Sequence, residues 1–291
     1  NWELSAARAF SVVKYFVDEN IVKKRLQRAN VLKGIVPLVS AYKRNFYVYK
    51  KIPGKTLPQV IDGSLFKKML NDYKKNLWKE KRMSNKELQT FYKKCKAFYK
   101  EKTDKRIKKY YDITKIKDKE EYINGVRVPG LEFLMDKIDW DWLSKGVPVL
   151  FHGDFQPENI IVTPDKRCVL IDWRQDFNGI IEYGDLYYDL AKMYHALIIC
   201  GEVIRNNQFE ISIKGNSIEY NFFLKGNLFE YLNMFEKFIL DNGYDLKKVR
   251  TLSSLIFLNI APLHHDPYNK FLYYLGKRSL FDNCAQMSCS G

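Results

Sequence analysis

Two short polar segments near the middle of the chain carry the residue types that could do chemistry. The segment HGDFQPENII (152–161) places Asp154 five residues before Asn159, and the apolar run in LIDWR (170–174) leads into Asp172. A carboxylate on a loop between short strands can accept a proton from a substrate hydroxyl, which is the role we predict for Asp154. Because Mg²⁺ prefers carboxylate and amide oxygens, Asn159 and Asp172 are the predicted metal ligands.

These residue types suit phosphoryl transfer from a nucleotide. That reaction needs a positioned hydroxyl and phosphates held by a metal, and it requires little covalent chemistry from the protein. Kinase catalytic loops share the Asp-x-x-x-x-Asn spacing of residues 154–159 and are followed by a metal-binding aspartate further along the chain. His152 is predicted to support this loop rather than to act as a base.

The first fifty residues predict a small antiparallel sheet with one helix. AFSVVKYF (9–16) is apolar and β-branched, which is typical of a strand. Residues 18–34 begin with acidic residues, carry a stripe at Val22, Leu26, Ala29 and Leu32 and end at a glycine, so they predict a helix. Residues 36–52 predict two strands around a Lys-Arg-Asn turn. Because Pro53-Gly54 interrupts the chain, we place a domain boundary there, between 1–54 and 55–291.

The remainder predicts a mainly helical domain with a few short strands. Apolar runs at 147–151 and 169–171 flank the polar segments on either side. Residues 209–220 alternate around Gly215-Asn216, as expected for a β-hairpin. Helical patterns follow at about 222–241 and 246–258.

Taken together, these motifs resemble the aminoglycoside phosphotransferase and choline kinase group, the small-molecule branch of the kinase-like fold. That group has a motif like HGDLHPGNIL, followed by a strand that ends in IDW or IDF. YGDLYYDLAK (183–192) is similar to its GDPxYDLA segment, and FYVYKKIPGKTL (46–57) to its hinge. The resemblance implies an α+β, protein-kinase-like, two-lobed fold. The nucleotide-binding N-lobe (1–54) would be incomplete, and residues 55–291 would form the catalytic and substrate-binding lobe.

The resemblance also implies roles for individual residues. Asp189 would brace the catalytic loop from a buried position, and the backbone near Lys50 and Ile52 would hold adenine. Lys14, in SVVKYF, would grip the nucleotide phosphates. The implied cofactors are Mg²⁺ and ATP or GTP as the phosphoryl donor.

The sequence departs from the family pattern in its N-terminal part. Only thirteen residues precede Lys14, none of them forming a Gly-rich loop, and residue 1 is not Met. We therefore expect the chain to be a fragment of a longer protein, with an upstream fused domain such as a nucleotidyltransferase. The helix after Lys14 also offers only Glu19, at its start, as a carboxylate partner for that lysine.

The acceptor is predicted from charged residues near the motif. Glu158 replaces the family's usual Gly or Asp and could contact the substrate or the metal ion. Arg174 and Asp176 follow the metal aspartate, and a turn at His265 is predicted to line the acceptor pocket. Because Arg174 favours a ligand with hydroxyls or a carboxylate, the expected acceptor is a sugar, polyol or amino alcohol, such as a precursor of a surface polysaccharide.

The net charge of +15 leaves one alternative open. Residues 65–120 hold 20 Lys and Arg against 8 Asp and Glu, so they carry +12 of that charge. The alternative is a catalytically inactive kinase-like module that binds a polyanion or another partner through this basic segment. Apolar residues recur there at helical spacing with the lysines between them, as on a solvated face, so nucleic acid is not the expected partner.

The sequence also bears on the compartment. No apolar run approaches the ~20 residues of a spanning helix, and no signal peptide is visible. Five cysteines without a Cys-x-x-Cys pair argue against a disulfide framework. The sequence therefore predicts a cytoplasmic protein that has no membrane partner.

Overall fold

The computed structural model describes residues 11–199, 206, 208–223 and 226–285. The predicted fold class is confirmed: an antiparallel sheet near the N-terminus is followed by a mainly helical remainder. The chain divides into two compact units. The first contains Asn1–Arg82 and Val147–Asp189, and the second contains Met83–Gly146 and Leu190–Gly291. The functional division near residue 54 stays a prediction, and all the candidate site residues except His265 belong to the first unit.

The N-terminal part of the first unit is a three-stranded antiparallel sheet with one helix. Its elements are β1 (Ser11–Tyr15), α1 (Glu19–Val31), β2 (Val39–Lys43) and β3 (Phe46–Lys50). The strand order is β1-β3-β2, with Lys14 opposite Tyr47. Asp18 caps α1, because its carboxylate accepts a hydrogen bond of 2.8 Å from the backbone N–H of Asn20. The predicted strand, helix and hairpin are all present, although residues 9–10 of the predicted strand lie outside the described residues.

The rest of the first unit surrounds the polar segments with short elements. These are β4 (Lys55–Thr56), α2 (Leu57–Val60), α3 (Gly63–Asn76), β7 (Pro148–Val149), β8 (Ile160–Val162), β9 (Cys168–Leu170) and β10 (Gly184–Asp185). Strands β4, β8 and β9 form one antiparallel sheet, and β7 pairs with β10. Gly54, which precedes β4, has a φ of +149°. A Cβ atom there would collide with the carbonyl oxygen of Val162, so glycine lets the two backbones approach.

The second unit combines helices with a four-stranded sheet. Its elements are α4 (Asn85–Thr114), β5 (Glu121–Ile123), β6 (Val126–Val128), α5 (Leu131–Asp136), α6 (Trp140–Ser144), β11 (Phe209–Lys214), β12 (Ser217–Phe222), α8 (Gly226–Asp241), α9 (Leu246–Ile260) and α10 (Tyr268–Ala285). Helix α7 (Leu186–Ile198) begins in the first unit and continues in the second. The predicted hairpin at 209–220 is β11 and β12. The sequence did not predict that β12 also pairs in parallel with β5.

Helix α4 carries much of the basic segment and has the solvated face predicted for it. Ser84 and Glu87 form a capping box at its start. The apolar side chains of Phe91, Cys95 and Phe98 are buried, as their spacing predicted. Within the part of the chain that the structure describes, no helix is both long enough and apolar enough to cross a membrane.

Candidate active site

The loop that contains the predicted base connects β7 to β8; we call residues 152–159 the HGD loop. Gly153 has a φ of +84°, and a Cβ atom on it would lie 2.5 Å from Cβ of Arg174 and 2.7 Å from the ring of Phe151. Only glycine fits this bend without displacing its neighbours. Phe155 is buried, with its ring centroid 5.3 Å from that of Tyr73. The loop is therefore anchored by an apolar side chain on one side of Asp154 and by a tight backbone bend on the other.

Asn159 connects the predicted base to the strand that precedes the predicted metal aspartate. Its side-chain Nδ2 donates to the backbone O of Asp154 at 2.9 Å and to Oδ2 of Asp154 at 3.0 Å. This commitment of the amide nitrogen directs Oδ1 away from Asp154. The backbone O of Asn159 accepts a hydrogen bond of 2.9 Å from the N–H of Ile171. The structure thus joins Asn159 to Asp154 directly and to Ile171, the residue before Asp172, through the backbone. The roles of these residues as base and metal ligands stay predictions.

Asp172 adopts a left-handed backbone conformation, with a φ of +59°. Aspartate and asparagine are the residues other than glycine that adopt this conformation most readily. The carboxylate pairs with Nζ of Lys14, at 2.6 Å from Oδ1 and 2.7 Å from Oδ2. Both side chains are about one-third exposed (29% and 31%), so a ligand from solvent can reach the pair.

The structure shows which carboxylate pairs with Lys14, for which α1 offered only Glu19. Glu19 pairs with Lys23 at 2.9 Å and with Arg44 at 2.8 Å instead. The carboxylate partner of Lys14 is therefore Asp172, which lies 158 residues away in sequence.

The donor atoms at this position fit a magnesium ion. Among the described residues, no group of three or more His, Cys, Asp or Glu side chains could hold a metal. Mg²⁺ does not require such a cage, because it is usually bound through one or two protein oxygens together with phosphates and waters. The carboxylate of Asp172 and the Oδ1 of Asn159 are oxygen donors of that kind. The ion, when bound, would neutralise charge on the phosphates.

Asp189 occupies the position predicted for a brace. Its carboxylate is buried and accepts hydrogen bonds from the backbone N–H of His152 and of Gly153, both at 2.7 Å, and from Nε1 of Trp78 at 3.2 Å. Burial raises the pKa of Asp189 to about 6, against the opposing effect of these hydrogen bonds and of Arg28. The carboxylate is therefore ionised at neutral pH and fixes the first two residues of the HGD loop.

His152 has the properties of a structural residue. It is fully buried, and burial lowers its pKa to about 4 despite the nearby charge of Asp154, so the imidazole is neutral at physiological pH. Within the described chain, neither ring nitrogen makes a hydrogen bond of normal geometry. A neutral ring shielded from solvent is consistent with the predicted supporting role.

The residues predicted for the acceptor have varied surroundings. Asp176 pairs with Nζ of Lys24 at 2.8 Å and accepts from the N–H of Gly179 at 2.9 Å. Burial alone would raise the pKa of Asp176, but these hydrogen bonds outweigh it and lower the pKa. Nε of Arg174 donates to the backbone O of Asp176 at 3.0 Å. Glu158 is partly exposed in a short 3₁₀ helix, Pro157–Asn159.

The other predicted binding residues are less closely connected to the HGD loop. Lys50 ends β3 opposite Ser11, and Ile52 follows it, half-buried. His265 is exposed and belongs to the second unit. A cavity of about 650 Å³ in the first unit is lined by residues from 54–68 and 162–166. Because it contains none of the candidate residues, we do not assign the nucleotide to it. All these binding roles stay predictions.

Several residues that hold the site together were not identified from sequence. Trp78 bonds to Asp189, Lys24 bonds to Asp176, and Arg28 bonds to the backbone on both sides of the site. No local pattern marks them, because α1 contains four basic residues and only the tertiary fold distinguishes the one that is buried.

Comparison with known proteins gives one family match. A model described as the phosphotransferase enzyme family matches residues 92–206, which include the HGD loop, Asp172 and Asp189. This match confirms the resemblance predicted from the motifs. Among curated proteins no match is found.

Three solved structures are similar to the chain at low identity. An ethanolamine kinase of Plasmodium vivax is 15% identical, with a TM-score of 0.47, over 94% of this chain and 75% of that one. The gentamicin–APH(2″)-IIa complex is 14% identical, with a TM-score of 0.48, over 97% and 85%. A macrolide 2′-phosphotransferase type I is 11% identical, with a TM-score of 0.35, over 95% and 82%.

Proposed function

We propose that this protein is a Mg²⁺-dependent kinase that transfers a phosphoryl group from ATP or GTP to a hydroxyl of a small molecule. The observation that carries the proposal is the connected set Asp154, Asn159, Asp172 and Lys14. A proton acceptor, two oxygen donors for one cation and a lysine for phosphates are the parts that phosphoryl transfer requires. The family match over residues 92–206 supports the same reaction class.

Each residue has a distinct task in this reaction. Asp154 orients the acceptor hydroxyl and takes its proton. Asn159 and Asp172 hold the magnesium ion against the nucleotide phosphates. Lys14 pairs with Asp172 in this structure, and it would contact the phosphates when the nucleotide binds. The nucleotide base would lie against the backbone near Lys50 and Ile52.

The acceptor is proposed to be a sugar, polyol or amino alcohol, such as a precursor of a surface polysaccharide. Glu158 and Arg174 flank the motif and offer both charge signs to a ligand with several hydroxyls. Asp176 is less available, because Lys24 and Gly179 already bond to its carboxylate. The contribution of His265, a cytoplasmic location and a fused upstream domain such as a nucleotidyltransferase stay predictions.

The alternative, an inactive module that binds a polyanion through residues 65–120, has less support. Lysines there pair with acidic residues at the surface, as Lys68 does with Asp72 and Lys100 with Asp104. Most of the apolar side chains between them are buried or half-buried. Both observations describe an ordinary solvated face.

The test is a coupled assay for ADP or GDP release with Mg²⁺ and a panel of sugars, polyols, amino alcohols and amines. We expect acceptor-dependent release with one group of hydroxyl compounds, and loss of release in Asp154→Asn. Release that is independent of every acceptor, or that persists in Asp154→Asn, would contradict the proposal. Tight, salt-sensitive binding of heparin without nucleotide binding would favour the alternative.

A further inference from the structure

Arg28 is a charged residue that the proposed reaction does not use, yet it lies in the interior of the first unit. It is on α1 with no exposed surface (0%). Its Nη1 donates to the backbone O of Ile181 at 2.7 Å, and its Nη2 donates to the backbone O of Phe151. The guanidinium carbon also lies 4.3 Å from the centre of the Phe151 ring. One side chain of α1 therefore contacts the residue just before the HGD loop and a segment that follows Asp172.

The peptide group between Phe151 and His152 is held from both ends. Its carbonyl oxygen accepts from Arg28, and its N–H donates to Oδ2 of Asp189 at 2.7 Å. The carbonyl oxygen is the negative end of the peptide dipole and the N–H is its positive end. A cation beside the oxygen and an anion beside the N–H therefore stabilise the same orientation of this peptide group. The next N–H, of Gly153, donates to the other oxygen of Asp189.

From this geometry we propose that Arg28 is a positioning residue, which sets the orientation of the HGD loop and hence the place of Asp154. The proposal rests on the proposed function, because it assigns Arg28 to the same site. Asp154 comes two residues after His152, and its side chain is held further along by Asn159. With Arg28 removed, the loop would stay fixed at Asn159 but lose one of the two groups that orient its first peptide.

The cost of burying this arginine supports a specific role. A buried charge is strongly destabilising unless its partners compensate for it, and Nε of Arg28 has no hydrogen-bond partner among the described residues. Burial lowers the pKa of Arg28 to about 10, against the opposing effect of Asp189 and Asp176, so the side chain is charged at neutral pH. A methionine would fill a similar space without this cost, but it could not hold the two carbonyl groups.

The contacts of Arg28 also connect α1 to the site, a connection that a glutamate paired with Lys14 would otherwise make. No glutamate of α1 pairs with Lys14, since Glu19 bonds elsewhere. Helix α1 is instead fixed to residues around the site by Arg28, by the pair between Lys24 and Asp176, and by a 2.9 Å hydrogen bond from Nε1 of Trp173 to the backbone O of Arg25. Of these connections, only Arg28 reaches the residue next to the HGD loop.

The experiment compares Arg28→Met and Arg28→Lys with Val22→Ala, a control on the same helix. Val22 is equally buried but apolar, so its truncation removes packing without removing a hydrogen bond to the loop. Two kinds of measurement are made on each variant: amide hydrogen exchange at His152 and Gly153, and steady-state kinetics that give kcat and the KM for the nucleotide. Melting temperature is recorded for each variant.

We expect Arg28→Met to accelerate exchange at these two amides and to lower kcat by about 10²-fold, the effect of misplacing a catalytic group by roughly 1 Å. KM for the nucleotide should stay near that of the wild type. Arg28→Lys keeps the charge and one donor group, so its values should lie between those of the wild type and Arg28→Met. Val22→Ala should lower the melting temperature without changing exchange at the two amides or kcat.

Two results would overturn the proposal. One is unchanged exchange and kcat in Arg28→Lys and in Arg28→Met. The other is an equal loss of kcat in Val22→Ala at a matched melting temperature, which would make Arg28 an ordinary packing residue. If Arg28→Met does not fold, Arg28→Lys decides the question. The two failures can be told apart, because amide exchange needs no substrate. If the wild-type protein phosphorylates no acceptor, the proposed function is contradicted, but the exchange data still decide whether Arg28 orients the loop.

Discussion

The HGD loop and helix α4 are both surrounded by charged residues, but the fold uses those charges in opposite ways. Around the loop, Arg28 and Asp189 have no exposed surface and bond mainly to backbone groups. On α4, Lys96 and Lys100 pair with aspartates whose side chains are 81% and 49% exposed.

This difference separates charges that fix geometry from charges that keep a helix solvated. A buried charge with fixed partners orients those partners, because water cannot replace them. A pair at the surface is screened and contributes about 0–1 kcal/mol. A count of charged residues in the sequence would have made α4 the most important charged region. In the structure, the charges that fix geometry are instead a few residues around the HGD loop.

The largest effect is expected for Asp154→Asn. Asparagine keeps the shape and one acceptor oxygen but cannot take the proton, so kcat should fall by roughly 10²–10⁴. Nucleotide Kd and melting temperature should stay near wild-type values, because the loop is held by other residues. Measurement of kcat, Kd and melting temperature on this variant checks the prediction. A parallel fall in all three would mean that Asp154 only braces the loop.

The next effect concerns the titration of Asp189. Its folded pKa of about 6 lies above the ordinary pKa of an aspartate, 3.8, so it binds a proton more readily in the folded state. The stability that this carboxyl contributes is fully present below the unfolded pKa and is lost as the pH rises through the folded pKa. The unfolding free energy of the wild type relative to Asp189→Asn should fall by about 3 kcal/mol, most of it between about pH 4 and about pH 6.

Urea unfolding of both proteins across this pH range measures the difference. Other groups that titrate there, including His152, are present in both proteins and cancel if the substitution leaves them unperturbed. A difference that is constant with pH would show that Asp189 does not titrate in this window and would weaken the contrast between the buried and exposed charges.

A smaller effect is expected for the metal site. Asp172→Asn keeps a residue that tolerates a φ of +59°, whereas alanine would add backbone strain. Loss of the carboxylate should weaken the apparent affinity for Mg²⁺ by about 10–100-fold or more, because mutation of a residue that only hydrogen-bonds to a metal ligand already has an effect of that size. A Mg²⁺ titration of nucleotide binding measures it. Asp165→Asn, which changes an exposed aspartate in the same unit, serves as the control and should leave the titration unchanged.

The smallest effect is expected on α4. Lys96→Gln and Lys100→Gln break only exposed ion pairs, so each should change the unfolding free energy by less than about 0.5 kcal/mol and leave kcat unchanged. Denaturant unfolding and the kinase assay check both values. A large loss of activity or of polyanion binding in these variants would reverse the comparison and support a binding role for the basic segment.

The sequence predicted the parts of the molecule that depend on local pattern. The hairpin of β2 and β3 follows from two β-rich runs around a short turn, and the burial of Val22 and Leu32 follows from helical spacing. The HGD loop was predictable because its spacing is itself a chemical requirement. Lys14 was assigned to the site by resemblance; in the structure it pairs with Asp172, and its role toward the nucleotide stays a prediction.

The remaining features could not be predicted because they join distant parts of the chain. The partners of Arg28 lie 123 and 153 residues away in sequence, and nothing local distinguishes it from Arg25 on the same helix. The parallel pairing of β12 with β5 likewise connects segments about a hundred residues apart. Hydrophobic periodicity reports which face of an element is buried, but not which buried partner a charged residue will find.

The close approach of Gly54 to Val162 limits how the predicted hinge can bend. Beyond Gly54, the backbone is paired through Lys55–Thr56 with β8, and the ring of Pro53 fixes its own φ. Between the end of β3 and this anchored stretch, Lys51, Ile52 and Gly54 have two backbone torsions each and Pro53 has one. Any swing of the N-terminal sheet about this connection must therefore be built from rotations at these four residues, which gives it few degrees of freedom.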